Sequence, residues 1–184
     1  MQHVLKRHPE SLGSAGIEVQ VEIARPPGGL VLSYVVTGEI GELSLPPPAT
    51  SARAHELWQH TCFEAFLRTA PGESYYELNF APSTQWAAYR LSRYRSGMQD
   101  AGEIGPPRIE VEARPERYTL RATLALDRVP SPSERSDGSM PWRLGLSAMI
   151  EDRSGRKSYW ALAHPPGKPD FHHADCFALE LASA

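Results

Sequence analysis

Three segments of the chain carry more carboxyl, amide, imidazole and aromatic groups than a strand core requires: residues 58–64, 76–89 and 159–176. In the second segment, Glu77 and Asn79 are two residues apart and share one face of an extended strand. If the first segment pairs with the second in a hairpin, Glu64 lies beside Glu77 or Asn79 on that face. Carboxylate and amide oxygens bind hydroxyl groups, and the apolar face of a sugar ring packs on indole or phenol rings. The pattern therefore suits a polyhydroxylated ligand.

Other interpretations of these residues stay open. Glu and Asn are also typical of the solvent face of a sheet, and composition alone favours this plainer interpretation. Glu64 and Glu77 would form a glycosidase pair at a suitable separation, which the sequence does not give. Ser83 or Cys62 with a histidine base would form a nucleophilic pair, but no GxSxG motif surrounds either residue. We therefore expect a protein without catalytic activity.

The third segment holds the densest group of histidines in the chain. His164, His172, His173, Asp175 and Cys176 fall within thirteen residues, and zinc or iron accepts ligands of these types. The spacings of the CxxC and HExxH motifs are missing, and adjacent residues of a strand point to opposite faces. We expect one buried, hydrogen-bonded histidine and one exposed histidine, and no cofactor. Haem or a metal ion is the alternative.

Length and charge restrict the class of protein. The 184 residues are expected to form one domain, residues 1–184. The net charge is −3 and the densest basic segment, residues 90–95, holds only three arginines, so we expect no nucleic-acid partner. No apolar run approaches the roughly 20 residues of a membrane helix, and the first residues lack the apolar core of a signal peptide. These features predict a cytoplasmic protein with no membrane partner, in which Cys62 and Cys176 are free thiols.

The elements that must position these groups are short. Prolines and glycines divide the chain, and residues 17–23 and 118–126 alternate apolar with polar side chains as half-buried strands do. Residues 61–67 and 75–80 are typical of two hairpin strands, and residues 86–91 of a further strand. About ten such strands, without a convincing helical segment, predict an all-β fold, most simply an antiparallel β-sandwich.

The segments 58–67, 76–89 and 159–176 resemble bacterial DOMON-like proteins, which are akin to the family 9 carbohydrate-binding modules. The resemblance covers about residues 17–181. It implies a β-sandwich of ten or eleven strands that is a ligand-binding module and not an enzyme. Sugar-binding relatives hold a terminal saccharide between two tryptophans, and haem-binding relatives use a methionine and a histidine as axial ligands. Met149 alternates with core-type residues and is more simply a packing residue.

Together, these observations predict non-catalytic binding of a small polar ligand, most simply a saccharide or sugar derivative, on one face of the sandwich. In this assignment tryptophans stack on the ligand, Glu and Asn bind its hydroxyl groups, and Lys168 meets an anionic group. A haem- or metal-binding domain of the same fold, or a protein-interaction module, is the alternative. The expected ligand-binding residues are Trp58, His60, Glu64, Glu77, Asn79, Trp86, Trp160, His164, Lys168, Asp170, His172 and His173.

Overall fold

The computed structural model describes residues 1–13, 16–69, 72–129 and 141–181. Within these ranges the chain forms thirteen strands and a few 3-10 turns, and no α-helix. The strands are β1 (Gln2–Val4), β2 (Lys6–Arg7), β3 (Ile17–Ala24), β4 (Gly29–Gly38), β5 (Cys62–Arg68), β6 (Tyr75–Phe80), β7 (Trp86–Leu91), β8 (Gln99–Asp100), β9 (Arg108–Arg114), β10 (Arg117–Ala125), β11 (Trp142–Glu151), β12 (Lys157–Ala161) and β13 (Leu179–Leu181).

The first sheet has five antiparallel strands in the order β1-β3-β4-β10-β9. Its alternating strands follow the sequence pattern, since every second residue of β3, from Ile17 to Ile23, is buried. Along β10, Tyr118, Leu120, Ala122 and Leu124 are buried in the same way. One face of this sheet therefore supplies half of a hydrophobic core, and the other face meets solvent.

The second sheet has the order β2-β12-β11-β5-β6-β7-β8, and β13 pairs with the beginning of β11. Nearly every residue of β5, β6 and β7 is buried, so these central strands are covered on both faces. The inner face packs on the first sheet through Phe63, Leu78 and Phe80. Tyr34 of β4 also joins the sheets, because its hydroxyl donates to the backbone oxygen of Glu64 at 2.6 Å.

The structure confirms the predicted all-β, antiparallel sandwich and the strands expected at residues 61–67, 75–80 and 86–91. The count exceeds the expected ten or eleven because β1, β2 and β8 are additional short edge strands of two or three residues. The polar loop that prolines and serines predict at residues 130–140 lies outside the described residues. Both cysteines are buried, unbridged thiols. No helix in the described part of the chain has the length and apolarity to span a membrane.

Candidate functional site

The outer face of the second sheet carries the polar residues that the sequence places on one hairpin. Glu64 of β5 lies opposite Asn79 of β6, one of the two partners that the hairpin prediction allowed, and Phe66 lies opposite Glu77. The residues Glu64, Glu77 and Asn79 are only 3%, 4% and 0% exposed. The plainer interpretation, a solvent face on which Glu and Asn meet water, is therefore wrong.

Loops cover this outer face and form a second, smaller apolar cluster. Phe66, Tyr75, Tyr89 and Phe177 belong to its buried part, and Phe171 of the loop after β12 packs against it. A 3-10 turn, Leu57–Gln59, covers the same face from the other end of the chain segment, just before β5. Glu56, which precedes this turn, adopts a left-handed backbone conformation with φ of 59°. The reversal of the chain there brings Trp58 edge-on to Tyr89, with 6.1 Å between ring centroids.

A cavity of about 510 Å³ lies between the two covering loops. Glu64, Glu77 and Met149 line its base, and all three are buried. The aromatic residues Trp58, Tyr159 and Phe171 also line it. The volume is in the range of ordinary small-molecule sites.

Hydrogen bonds within the sheet hold the base of the cavity in place. The hydroxyl of Ser147 on β11 donates to Oε2 of Glu64 at 3.2 Å. The amide Nδ2 of Asn79 donates to Oε1 of Glu77 at 2.9 Å, and the Cys62 thiol lies 3.8 Å from the Asn79 Oδ1. Asn79 does not line the cavity itself but orients Glu77, which does.

Burial changes the protonation of the ionisable groups that line the cavity. Desolvation, with a further contribution from the nearby Glu77 carboxylate, raises the pKa of Glu64 to about 8. Desolvation also raises the pKa of Glu77, against the opposing effects of Asn79 and Arg95. The pKa of His172 falls to about 4 because of burial and the positive charge of Arg95. At neutral pH, Glu64 is therefore mainly protonated and His172 is neutral.

The loop after β12 is fastened over the cavity by polar contacts. Asp170 forms an ion pair with Arg95 at 2.8 Å, accepts a hydrogen bond from the Tyr94 hydroxyl, and accepts another from the backbone N–H of His172. The Nδ1 atom of His172 lies 2.8 Å from the Tyr75 hydroxyl. Arg95 lies in the turn after β7 with a φ of 50°, and its ion pair with Asp170 joins that turn to the late loop.

The other late histidines point elsewhere. The ring of His173 is more exposed than that of His172, and its Nδ1 accepts a hydrogen bond from Asp175 N–H at 3.3 Å. His164 contacts the backbone oxygen of Lys6 at 2.8 Å. The expectation of one buried and one exposed histidine is not met, because His172 and His173 are both half-buried, with His172 the deeper of the two. Among residues 1–13, 16–69, 72–129 and 141–181, no three His, Cys, Asp or Glu side chains form a metal-ligating group.

Other predicted residues lie near the cavity but outside it. Lys168 and His173 line a neighbouring hollow of about 400 Å³, which Arg95 and Asp170 share. His60 is exposed, contacts Glu151 Oε2 at 2.8 Å, and lines a separate cavity of about 730 Å³. Within the segment 58–64, Trp58 and Glu64 therefore line one cavity and His60 lines another.

Trp86 and Trp160 correct the prediction that the tryptophans converge on the ligand. Both are buried in the core between the sheets, on the face opposite Glu64. Trp86 pairs with the inward Phe80, and Arg53 packs over its ring at 4.3 Å. Trp160 donates its Nε1–H to Ser158 at 3.0 Å. Since residues alternate along a strand, Tyr159 rather than Trp160 faces the cavity.

Sequence reasoning missed Tyr159, Phe171, Arg95 and Ser147, and assigned Met149 to packing alone. The alternation of strands β11 and β12 carries a usable signal for two of them, because Met149 and Tyr159 are cross-strand partners. Glu64 of β5 pairs with Ser147 of β11, two residues before Met149. Met149 and Tyr159 therefore share a sheet face with Glu64. Arg95 and Phe171 come from loops, whose positions the strand pattern does not determine.

No protein-family model and no curated protein matches the sequence. Among solved structures, the chain is similar to a "putative carbohydrate-binding protein" from Bacteroides uniformis, with 14% identity, a TM-score of 0.61, and 96% of this chain and 83% of that chain covered. It is also similar to a family 9 carbohydrate-binding module from Caldicellulosiruptor kristjanssonii. The complex of that module with cellotriose has 14% identity and a TM-score of 0.54, with 91% and 74% covered. The complex with glucose has 12% identity and a TM-score of 0.51, with 89% and 76% covered.

At these identities the likeness establishes the fold. The chain has the β-sandwich architecture of the family 9 modules, as the resemblance of its motifs implies. A shared fold does not fix a ligand. The ligand has to be argued from the residues of the cavity.

Proposed function

We propose that this chain is a non-catalytic saccharide-binding module and that the ligand occupies the 510 Å³ cavity on the outer face of the second sheet. The observation that carries the proposal is the buried polar base, Glu64 and Glu77 supported by Asn79, beneath aromatic side chains. We also propose, from the motifs, a bacterial and cytoplasmic DOMON-like protein that acts as one domain over residues 1–184.

The two carboxyl groups at the base of the cavity can form more hydrogen bonds than the protein itself supplies, and a ligand can form the others. A buried carboxyl group is costly unless donors and acceptors surround it. Glu64 receives one hydrogen bond, from Ser147, and Glu77 receives one, from Asn79. Sugar hydroxyl groups both donate and accept, so they can pair with a carboxyl group in either protonation state.

The aromatic residues of the cavity match the other half of a sugar. Trp58 is 36% exposed, the only tryptophan of the four that is not buried, and Tyr159 and Phe171 line the same space. Rings of this kind pack on the C–H face of a pyranose. A single tryptophan with a tyrosine and a phenylalanine thus takes the place of the two-tryptophan clamp expected from the resemblance.

The similar structures support this assignment, because two of them are complexes of a carbohydrate-binding module with glucose and with cellotriose. The histidines expected to offer a metal or haem site are instead engaged in protein contacts, with Tyr75, Lys6 and the turn at Asp175. Saccharide binding is therefore the function that the cavity supports best.

Tryptophan fluorescence tests the proposal directly. Trp86, Trp142 and Trp160 are buried, so iodide quenching reports mainly on Trp58. A panel of mono- and oligosaccharides should include members that protect Trp58 from iodide in a saturable way. The protection should disappear in Trp58→Phe, and the affinity measured by calorimetry should fall in Glu77→Gln.

The matched control is Glu112→Gln, a change of the same chemistry on an exposed residue of β9 in the other sheet. Its affinity should equal that of the unchanged protein. If no saccharide binds at millimolar concentration, or if Glu112→Gln weakens binding as much as Glu77→Gln, the proposed site is wrong.

A further inference from the structure

The two carboxyl groups at the base of the cavity are neighbours on the sheet. Glu64 lies opposite Asn79 and Glu77 lies opposite Phe66, so the two glutamates are diagonal partners across β5 and β6. Diagonal partners on one sheet face are within reach of long side chains. Both carboxyl groups line the same cavity, and each is more than nine-tenths buried.

Each of these carboxyl groups keeps one oxygen without a donor. In Glu64, Ser147 donates to Oε2, and Oε1 has no hydrogen-bond partner in the described part of the chain. In Glu77, Asn79 donates to Oε1, while Oε2 lies 4.0 Å from Nε2 of His172, which is longer than a hydrogen bond. Each of these cavity-lining carboxyl groups therefore has an oxygen that can accept a hydrogen bond from a ligand.

The cations nearby do not neutralise this pair. Arg95 is bound to Asp170 at 2.8 Å and is about half exposed. Among the residues that the structure describes, no Lys or Arg side chain lies within 4.0 Å of Glu64 or Glu77. His172 is neutral, because burial and Arg95 lower its pKa to about 4. Lys157 lines the cavity without forming an ion pair to either glutamate.

The aromatic residues favour the same kind of ligand group. Trp58, Tyr159 and Phe171 line the cavity, and the faces of such rings attract cations. Two carboxyl groups that can ionise when a cation approaches, and aromatic rings around them, are two separate features that favour a positively charged ligand group.

We propose that the ligand of this cavity carries a protonated primary amine, placed between Glu64 and Glu77. For a saccharide this means an amino sugar with a free amino group. The inference rests on the proposed function and specifies the substrate class of the same site. An ammonium group donates several hydrogen bonds, which matches the two unpaired oxygens, while the C–H face of the sugar packs on the aromatic rings.

Binding of an ammonium group should release a proton. In the free protein the pKa of Glu64 is about 8, through burial and the charge of Glu77. The other titratable and charged groups that interact with Glu64 are the Cys62 thiol and the Tyr34 hydroxyl, whose pKa values are raised well above their usual values, and Arg95, whose charge favours the carboxylate. A cation at the carboxyl group favours its ionised form, so Glu64 loses its proton when the amine binds near neutral pH.

Calorimetry with three sugars of one ring size tests the inference: D-glucosamine, D-glucose and D-glucuronate, at a pH where the sugar amine is protonated. We expect D-glucosamine to bind about tenfold more tightly than D-glucose, as a charge-assisted contact implies. Repeating the titrations in buffers of different ionisation enthalpy should reveal proton release with D-glucosamine and none with D-glucose.

The variant Glu64→Gln should abolish both the proton release and the preference for the amine. Glutamine has the shape of the protonated carboxyl group found in the free protein, so folding should be retained, as circular dichroism would show. Glu112→Gln on the other sheet should change neither quantity. N-acetyl-D-glucosamine, which carries the substituent without the charge, should lose the gain in affinity.

Each outcome separates the two proposals. Equal affinity for D-glucosamine and D-glucose overturns the amine assignment and leaves saccharide binding standing. Tighter binding of D-glucuronate also overturns it, because Arg95 and Lys157 would then dominate recognition. If none of the three sugars binds and the wider panel is also blank, the proposed function itself fails.

Discussion

The hairpin of β5 and β6 has two buried faces of opposite character. On the inner face, Phe63, Leu78 and Phe80 pack against the first sheet. On the outer face, Glu64 and Glu77 are equally buried, but loops cover them and enclose a cavity. The two sets of residues alternate along the same strands, so they differ in what covers them and not in how deeply they lie.

This difference separates stability from binding within one element. Apolar side chains on the inner face gain free energy by leaving water, whereas a carboxyl group on the outer face loses hydration and regains only one hydrogen bond. We infer that the inner face stabilises the sandwich, whereas the outer face carries the proposed binding site.

The largest expected effect is on the inner face. In Phe63→Ala, a ring that packs on Tyr34 at 5.1 Å and on Tyr118 at 6.1 Å is replaced by a cavity. The free energy of unfolding should fall by about 3–5 kcal/mol, as for other buried aromatic residues. Urea denaturation measures this change. An unchanged midpoint would mean that the inner face is not the stabilising one.

A pH titration of stability tests the outer face. The pKa of Glu64 rises from 4.5 to about 8 on folding, so its contribution to stability is complete below 4.5 and is lost as the pH rises to 8. The pKa of His172 falls from 6.5 to about 4, so its contribution is complete above 6.5 and is lost on acidification. Between 4.5 and 6.5 the two effects oppose each other, and between 6.5 and 8 Glu64 acts without His172.

We therefore expect the free energy of unfolding to fall by about 1–2 kcal/mol between pH 6.5 and 8, since each pKa unit corresponds to about 1.4 kcal/mol. The variant Glu64→Gln should remove this slope, because glutamine does not titrate. Urea denaturation at a series of pH values gives the measurement. A slope that persists in the variant would show that another group causes it.

The inner face could be predicted from the sequence because it depends on alternation alone. Period-two patterns and turn residues located strands such as β3, β10 and the β5–β6 hairpin, and these strands determine the sandwich. The shared face of Glu64 with Glu77 and Asn79 also followed, because residues two apart share a face, although only the structure shows that Asn79 is the residue opposite Glu64. Local geometry, repeated along the chain, was sufficient for this part.

The cover of the outer face could not be predicted in the same way. Whether Glu64 meets water or a cavity depends on the turn at residues 57–59, just before β5, and on the loop at residues 169–172, which is far from Glu64 in sequence. Arg95 reaches the mouth through a backbone turn with positive φ, which no alternation pattern marks. The enrichment in aromatic residues led to a wrong assignment of Trp86 and Trp160 to the binding site, since both are core residues on the inner face.

A matched pair of tryptophans sharpens the contrast between the faces. Trp160→Phe removes a buried hydrogen bond to Ser158 and some ring volume from the core, and should lower stability by about 1 kcal/mol without altering saccharide affinity. Trp58→Phe, at the mouth of the cavity, should leave stability within about 0.5 kcal/mol but weaken binding. Denaturation and calorimetry on both variants measure the two effects. The reverse pattern would place the binding surface on the inner side.

The smallest expected effect concerns the loop that covers the outer face. Asp170→Asn weakens the ion pair with Arg95, which is partly exposed and therefore contributes less than about 1 kcal/mol. Global stability should barely change, because the main core lies between the sheets and not under this loop. Hydrogen exchange at residues 170–173 should nevertheless become faster, since the Asp170 side chain also accepts from the backbone N–H of His172.

Ligand binding should reverse this local loosening. A saccharide in the cavity contacts Phe171 and His172 from below, so it adds contacts to the closed position of the loop that replace those lost with Asp170. Saturating ligand should therefore restore slow exchange at residues 170–173 in the variant, while exchange in the inner strands β3 and β10 stays unchanged. Faster exchange that ligand does not affect would mean that the loop is only a structural cover. In that case stability and binding would not be divided between the inner and outer faces of the hairpin.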